Sequence, residues 1–321
     1  MLVYASLAAI FGFLGVAWGA DRFVFGAAGL ARNLGVSTLV IGLTIVAFGT
    51  SAPEMLVSGV AAWEDLPAMG IGNAVGSNIT NVTLVLGSAA VARPLRVASR
   101  LLRRELPILL SIMFVTYSFL ANGVLSRLEG IALLLGMAVL VGWIIYLGLH
   151  EAPNDPDPLT HGLEEIPELL PSGRATLWAV IGLLTLLAGS RLLVWGAQEL
   201  ALSIGVSDLV IGLTVVAFGT SLPELAASVA AARRNEDDIA IGNVVGSNMF
   251  NLLGVLGLPG VIAPGPIDPE VLSRDFPVMI GVTLLLVLMS RGDRQHHIGL
   301  SQGMLLLVLY FGYTTLVFLR G

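Results

Sequence analysis

The sequence predicts an all-α membrane protein, with ten transmembrane helices arranged as two inverted-topology five-helix repeats. Three observations lead there. The 321-residue chain is 56% hydrophobic, has a mean hydropathy of +0.90 and carries only 12% charged residues. A soluble domain holds about twice that charged share. Residues 35–87 recur without a gap at 205–257, offset by 170, with about 31 of 53 positions identical. The arginines also fall overwhelmingly on one set of loops, which fixes an orientation.

Taken in order, the apolar runs place spans at 2–32, 38–62, 69–91, 103–122, 126–148, 173–203, 208–232, 239–262, 274–290 and 298–319. No basic residue precedes Arg22, so the start does not read as a secretory signal. Gly19 and Gly26 align with Gly189 and Gly196, so the first span reads as a retained helix with a partner in the second half. The stretch 151–173 is polar, acidic and proline-rich, and reads as a cytoplasmic linker. It separates a first five-helix repeat, 1–150, from a second, 174–321. An odd number of spans per repeat makes the second half enter the membrane from the opposite side.

With the N-terminus outside, the inner loops hold eleven arginines, among them Arg93, Arg96, Arg100, Arg103 and Arg104; the outer segments hold Arg127, Arg274 and Arg320. Both termini are therefore expected on the outer side of the inner (plasma) membrane. Composition also excludes chemistry. There is no cysteine, so no disulfide, thiol nucleophile or thiolate metal site. There is no lysine, so no Schiff base and no Walker-type phosphate lysine. No cofactor is implied. The lipid bilayer is the expected environment, and neither a nucleic acid nor an obligate protein partner is indicated.

Each repeat carries two polar islands inside apolar spans. The first is Gly49-Thr50-Ser51-Ala52-Pro53-Glu54, matched by Gly219-Thr220-Ser221-Leu222-Pro223-Glu224. Charges in hydrocarbon are costly, so Glu54 and Glu224 are functional candidates. Proline removes an N–H and crowds the carbonyl four residues earlier, here that of Gly49 or Gly219. The expectation is a local kink or unwinding that frees carbonyls at membrane depth, where a cation can satisfy them. The bland alternative is a packing kink with a hydroxyl bonded back to its own helix; a carboxylate in both copies argues against it.

The second island is Gly72-Asn73-Ala74-Val75-Gly76-Ser77-Asn78 followed by Asn81, matched by Gly242-Asn243-Val244-Val245-Gly246-Ser247-Asn248 followed by Asn251. Ser77 and Asn81 share a helix face, as do Ser247 and Asn251. These four read as ligand candidates. Gly72, Gly76, Asn73 and Asn78 read as small-residue packing with interhelical amide bonds. The whole donor set is oxygen, with no His, Cys or Met, and suits hard cations such as Ca²⁺ or Na⁺. Two close carboxylates do not both stay ionised alone, so protons or monovalent ions must replace a departing Ca²⁺. That is the logic of exchange at one site. An intramembrane hydrolase would need a base beside Ser51 or Ser221, and no His lies in a span to provide one.

On these residues the chain resembles prokaryotic members of the sodium/calcium exchanger family, within the cation/calcium antiporter superfamily. The motifs G-T-S-x-P-E and G-N-x-x-G-S-N-x-x-N, present in both repeats, carry the resemblance. It implies an antiporter, not an enzyme, that exchanges Na⁺ for Ca²⁺ by alternating access. Ca²⁺ would be held by Glu54, Glu224 and the backbone carbonyls of Thr50 and Thr220. Na⁺ sites would use Ala47, Ser51, Ser77, Ala217, Ser221 and Ser247. Asn81 and Asn251 would flank the middle of the site. Some relatives carry Asp at the second position, and Asn251 here weakens the case for K⁺ cotransport. Ca²⁺/H⁺ exchange on the same glutamates is the alternative, but relatives devoted to it show G-N-A-x-E, not T-S-x-P-E. The first and sixth spans would slide over the core. Asp21, Arg22 and Arg191 on them read as snorkelling side chains or an internal ion pair near a span end, or else as gating residues. Glu105 and Glu129 read as interfacial, and His296 and His297 as part of a solvated turn.

Overall fold

The computed structural model describes residues 2–98, 100–150, 170–203, 217–292 and 297–320. Its helices are α1 (Leu2–Leu34), α2 (Thr38–Trp63), α3 (Pro67–Ala92), α4 (101–120), α5 (Arg127–His150), α6 (Ser172–Ser203), α7 (Ala217–Thr220), α8 (Leu222–Arg233), α9 (Asp237–Ile262), α10 (Val271–Arg291) and α11 (Leu300–Arg320). Among the described residues, eight are long and apolar enough to cross a membrane: α1, α2, α3, α5, α6, α9, α10 and α11. The expected span 103–122 falls on α4. The expected span 208–232 falls on α7 and α8, and its first residues lie outside those described, as does most of the 151–173 linker.

Local chemistry sets the helix starts. Ser37 caps α2 by accepting from the Val40 N–H, and Pro67 opens α3. Ser126 and Glu129 form a reciprocal capping box at the start of α5. Asp237 and Asp238 put negative charge on the first turn of α9. Wide π turns interrupt four helices at equivalent places in the two halves. Asn81–Val85 in α3 matches Asn251–Val255 in α9, and Leu101–Glu105 matches Val271–Asp275, each pair offset by 170. A fifth lies at Gly42–Val46 in α2. Such turns in a helix often mark functional sites.

Burial divides the helices into layers. The apolar window of α9 is wholly buried, and most of that of α3; α11 faces outward almost everywhere. Thus α3 and α9 form the centre, with α2 and α8 beside them. The long helices α1 and α6 lie against each other in antiparallel fashion. Gly12, Gly19 and Gly26 of α1 meet the backbones of Leu193, Leu186 and Ala179, and Gly182, Gly189 and Gly196 return the contact. A Cβ at Gly26 or Gly182 would fall onto the neighbouring main chain. Both helices repeat glycine every seventh residue, so the seam runs two turns at a time along their length. At 33 residues, α1 is about 50 Å long and must tilt in a hydrocarbon layer of about 30 Å.

Two short ladders add to the all-α expectation. β1 (Leu95–Arg96) pairs antiparallel with β4 (His297–Ile298), and β2 (Val124–Leu125) with β3 (Gly265–Pro266). Each ladder ties one half of the chain to the other. His297 belongs to this pairing, and His296 lies outside the described residues.

Candidate ion-binding site

Glu54, on α2, and Glu224, on α8, are both 1% exposed. Ser51 lies one turn before Glu54, on the same face of α2, and its hydroxyl donates to Glu224 Oε1 at 3.2 Å. The two carboxylates are thus brought to one place from opposite halves, 170 residues apart. Thr50 is also buried, and its hydroxyl donates to Asn243 Oδ1 at 3.0 Å. Ser77, Asn81, Ser247 and Asn251 are buried on the central pair α3 and α9. Asn81 and Asn251 each open a π turn, which swings the helix face just beyond them. Ala47 is fully buried one turn before Thr50. Ser221 is buried, and Thr220 is half-buried at the end of α7. Ala217 begins α7, and its side chain lies outside the description.

The hydrogen-bond balance of this region is incomplete in a patterned way. Glu54 Oε2, Glu224 Oε2, Ser247 Oγ, Asn81 Oδ1 and Asn251 Oδ1 are all buried without a hydrogen-bond partner. A buried acceptor left unmatched costs about 1–3 kcal/mol, and more when charged. Asn78 Oδ1 is unmatched as well, and such acceptors from both repeats suit a cation, which satisfies oxygens without needing donors. The set is carboxylate, hydroxyl and amide oxygen throughout. Among the described residues no group of three His, Cys, Asp or Glu side chains could hold a metal. A site of this kind escapes any search for clustered acids.

The proline expectation needs correction in the first repeat. Helix α2 continues through Pro53 from Ala47 to Trp63, and its irregularity is the π turn upstream. In the second repeat the chain does break, at Ser221 (φ −90°, ψ 3°), just before Pro223. Sequence reasoning also undervalued the asparagines. Asn243 Nδ2 donates to the Glu224 carbonyl at 3.3 Å and to Ser228 Oγ at 2.9 Å, while its Oδ1 accepts from Thr50. Asn73 Nδ2 donates to the Glu54 carbonyl at 3.4 Å. Each glutamate's backbone is therefore braced by the asparagine 19 residues on. The identical G-T-S-x-P-E to G-N spacing was the available signal. Asn78 and Asn248 do make interhelical amide bonds, as the packing reading held. Gly242 and Gly246 pack tightly against α2, whereas no described atom lies within 4 Å of a Cβ placed at Gly72 or Gly76.

Comparison with known proteins agrees with this geometry. The family model described as sodium/calcium exchanger protein matches residues 4–146 and 174–319. The chain belongs to the sodium/calcium exchanger family. This exchanger is 47% identical to CaxA of Alkalimonas amylolytica over 318 residues, covering 99% of each chain. It is 43% identical to the inner membrane protein YrbG of Escherichia coli (strain K12) over 291 residues, covering 90% of this chain and 89% of the relative. Its fold superposes on the solved sodium-calcium exchanger NCX_Mj, soaked with 10 mM Na⁺ and 10 mM Sr²⁺, with a TM-score of 0.83 and 34% identity over 97% of both chains. The chain is accordingly a multi-pass membrane antiporter, and its activity is cation/Ca²⁺ antiport.

Other expectations resolve at the edges of the site. Asp21 forms an internal ion pair, with Arg234. Arg22 stacks over Trp18 and Trp178, 5.9 and 5.0 Å from the ring centroids. Glu105, at the start of α4, is buried against the protein: it is 2% exposed and paired with Arg104 at 2.8 Å. A buried carboxylate needs such a partner.

Proposed function

We propose that this exchanger carries Na⁺ and Ca²⁺ in opposite directions through one site between its two repeats, with Na⁺ entry driving Ca²⁺ export across the inner (plasma) membrane. The observation that carries the reading is the pair of buried, unmatched carboxylate oxygens, Glu54 Oε2 and Glu224 Oε2, one from each half. Two carboxylates balance one divalent ion. Glu54, Glu224 and the carbonyls of Thr50 and Thr220 would hold Ca²⁺. Ser51, Ser221, Ser77, Ser247 and the carbonyls of Ala47 and Ala217 would complete Na⁺ sites, with Asn81 and Asn251 between them. Asn251 supplies no charge, which weighs against K⁺ as a further ion in the cycle.

Alternating access follows from inverted five-helix repeats, 1–150 and 174–321. Support comes from the paired π turns, the bracing asparagines and the strands β1 and β3, all of which recur at an offset of 170. The arginine count places both termini outside and the 151–173 linker in the cytoplasm. The NCX_Mj match, on a protein named as a sodium-calcium exchanger, favours Na⁺ as the counter-ion. Protons are the alternative, because one proton on each carboxylate would also neutralise the emptied pair.

The deciding experiment is ⁴⁵Ca²⁺ uptake into proteoliposomes under imposed gradients. Uptake driven by internal Na⁺ and indifferent to ΔpH is expected. Uptake that follows ΔpH and ignores Na⁺ would replace this reading with Ca²⁺/H⁺ exchange.

A further inference from the structure

Asp21 and Arg234 join α1 to the turn that ends α8 through two hydrogen bonds, 2.6 and 2.7 Å long. Shifted by 170 positions, Asp21 becomes Arg191 on α6, and Arg234 becomes Glu64 at the end of α2. The charges are exchanged between the two positions, yet complementarity is kept. The settings match as well. Glu64 and Arg234 are both helix C-caps, with φ and ψ of −87° and 17° against −91° and 6°. Each is followed by a left-handed residue, Asp65 at φ 59° or Asn235 at φ 63°. Asp21 and Arg191 each lie two residues past a glycine of the α1–α6 seam, Gly19 or Gly189.

The two pairs differ in state. Among the described residues, Asp21–Arg234 is formed, whereas Arg191 and Glu64 are exposed and make no ion pair. The packing differs in the same sense: α1 lies closely against α8, while α6 touches α2 only slightly. We propose that Asp21–Arg234 and Arg191–Glu64 are alternating latches, one on each membrane face, and that the second closes when the first opens. The proposal rests on the inverted-repeat, alternating-access reading above. In such a protein the two halves trade conformations between states. The state that brings α6 onto α2 would bring Arg191 to Glu64 and draw Asp21 away from Arg234. One ion pair is lost as another is gained, so neither state is stranded by an uncompensated contact.

The chain has no cysteine, which makes the test direct. The double variants Asp21→Cys with Arg234→Cys, and Glu64→Cys with Arg191→Cys, are reconstituted and treated with a short bis-methanethiosulfonate cross-linker. Both pairs are expected to link, each link stopping gradient-driven ⁴⁵Ca²⁺ uptake until a reductant restores it. Failure of the Glu64/Arg191 pair to link in a protein that exchanges Ca²⁺ normally would overturn the latch. Should the cysteine variants be inactive, charge reversal decides. Glu64→Arg should slow exchange roughly two- to fivefold, the range of an exposed ion pair, and adding Arg191→Glu should restore it; no rescue refutes the proposal. The readouts separate the two readings. Cross-linking reports the two states whichever ion drives them, whereas an unmodified protein without Na⁺-driven uptake counts against the proposed function alone.

Discussion

Asn78 and Asn248 each donate a side-chain amide hydrogen to the other's backbone carbonyl, at 3.2 and 3.3 Å. The pair is self-complementary, as a contact between equivalent positions of two repeats must be. It pins α3 to α9 at the centre of the molecule. Asn248 also accepts from Asn81 Nδ2 at 3.1 Å, which links the pin to the candidate site.

That asymmetry makes a prediction. Asn248→Ala removes two amide–oxygen hydrogen bonds, whereas Asn78→Ala removes one and a weaker N–H···S contact to Met279 at 3.4 Å, so Asn248→Ala should lower stability further. Each lost bond should cost on the order of 1 kcal/mol or less, as is usual between membrane helices. Each reciprocal bond runs from one side chain to the other's main chain, so truncating one residue leaves the other's bond in place and the double variant should come close to the sum. Midpoints of thermal unfolding in detergent measure all three.

Glu54→Gln and Glu224→Gln should each leave a folded protein and abolish Ca²⁺ transport. A binding loss of at least about 100-fold is expected, since even supporting residues of metal sites cost 10–100-fold. Calorimetric Ca²⁺ titration, beside size-exclusion of the detergent complex, reports both properties. Near-normal binding in either variant removes that glutamate from the site.

The α1–α6 seam predicts a sharp positional contrast. Gly26→Ala and Gly182→Ala should destabilise by about 1–3 kcal/mol, the usual cost of overpacking, because the added methyl meets main chain that cannot yield. Gly142→Ala, with no described atom within 4 Å of its Cβ, should be neutral or slightly stabilising. Unfolding midpoints of the three variants provide the comparison.

Glu236 predicts a dependence on pH. Burial holds its carboxyl above the usual range, and the neighbouring Arg32, 2.8 Å away, only partly offsets this. A group whose pKa is raised by folding favours the folded state below its unfolded pKa and loses that contribution as pH rises through the folded value. Stability attributable to Glu236 should therefore decline above the ordinary carboxylate range. Glu236→Gln should flatten that decline, and thermal midpoints across a pH series would show it. A steeper decline in the variant would contradict the assignment.

The broad plan was legible because it depends on counting. Apolar runs, an offset of 170 and buried acids all survive without coordinates. The ends of helices and the membership of the islands followed from the same patterns. Less visible were features set by backbone register. The continuation of α2 through Pro53, and the π turn upstream of it, have no clear sequence signature. Asn243 carries no signal of its own role until Thr50 is placed across from it. Ser58 donates to the Val255 carbonyl at 2.7 Å, a contact between halves that no local spacing encodes. Glu105 looks interfacial by position, and only tertiary packing buries it beside Arg104.

The two small ladders bear on how such a molecule can move. β1 and β4 buckle the halves together at one membrane face, and β2 and β3 do so at the other. All four strands lie in connections flanking α3, α4, α5, α9, α10 and α11; none adjoins α1 or α6. Those helices are held like the rails of a frame laced at top and bottom, which cannot gape at either end without unlacing. Outside the frame lie the short α7, the helices α2 and α8, which pack on its centre, and α1 and α6, which are seamed to each other along their glycines. On the alternating-access reading proposed above, this seamed pair would slide as one shuttle past the laced frame.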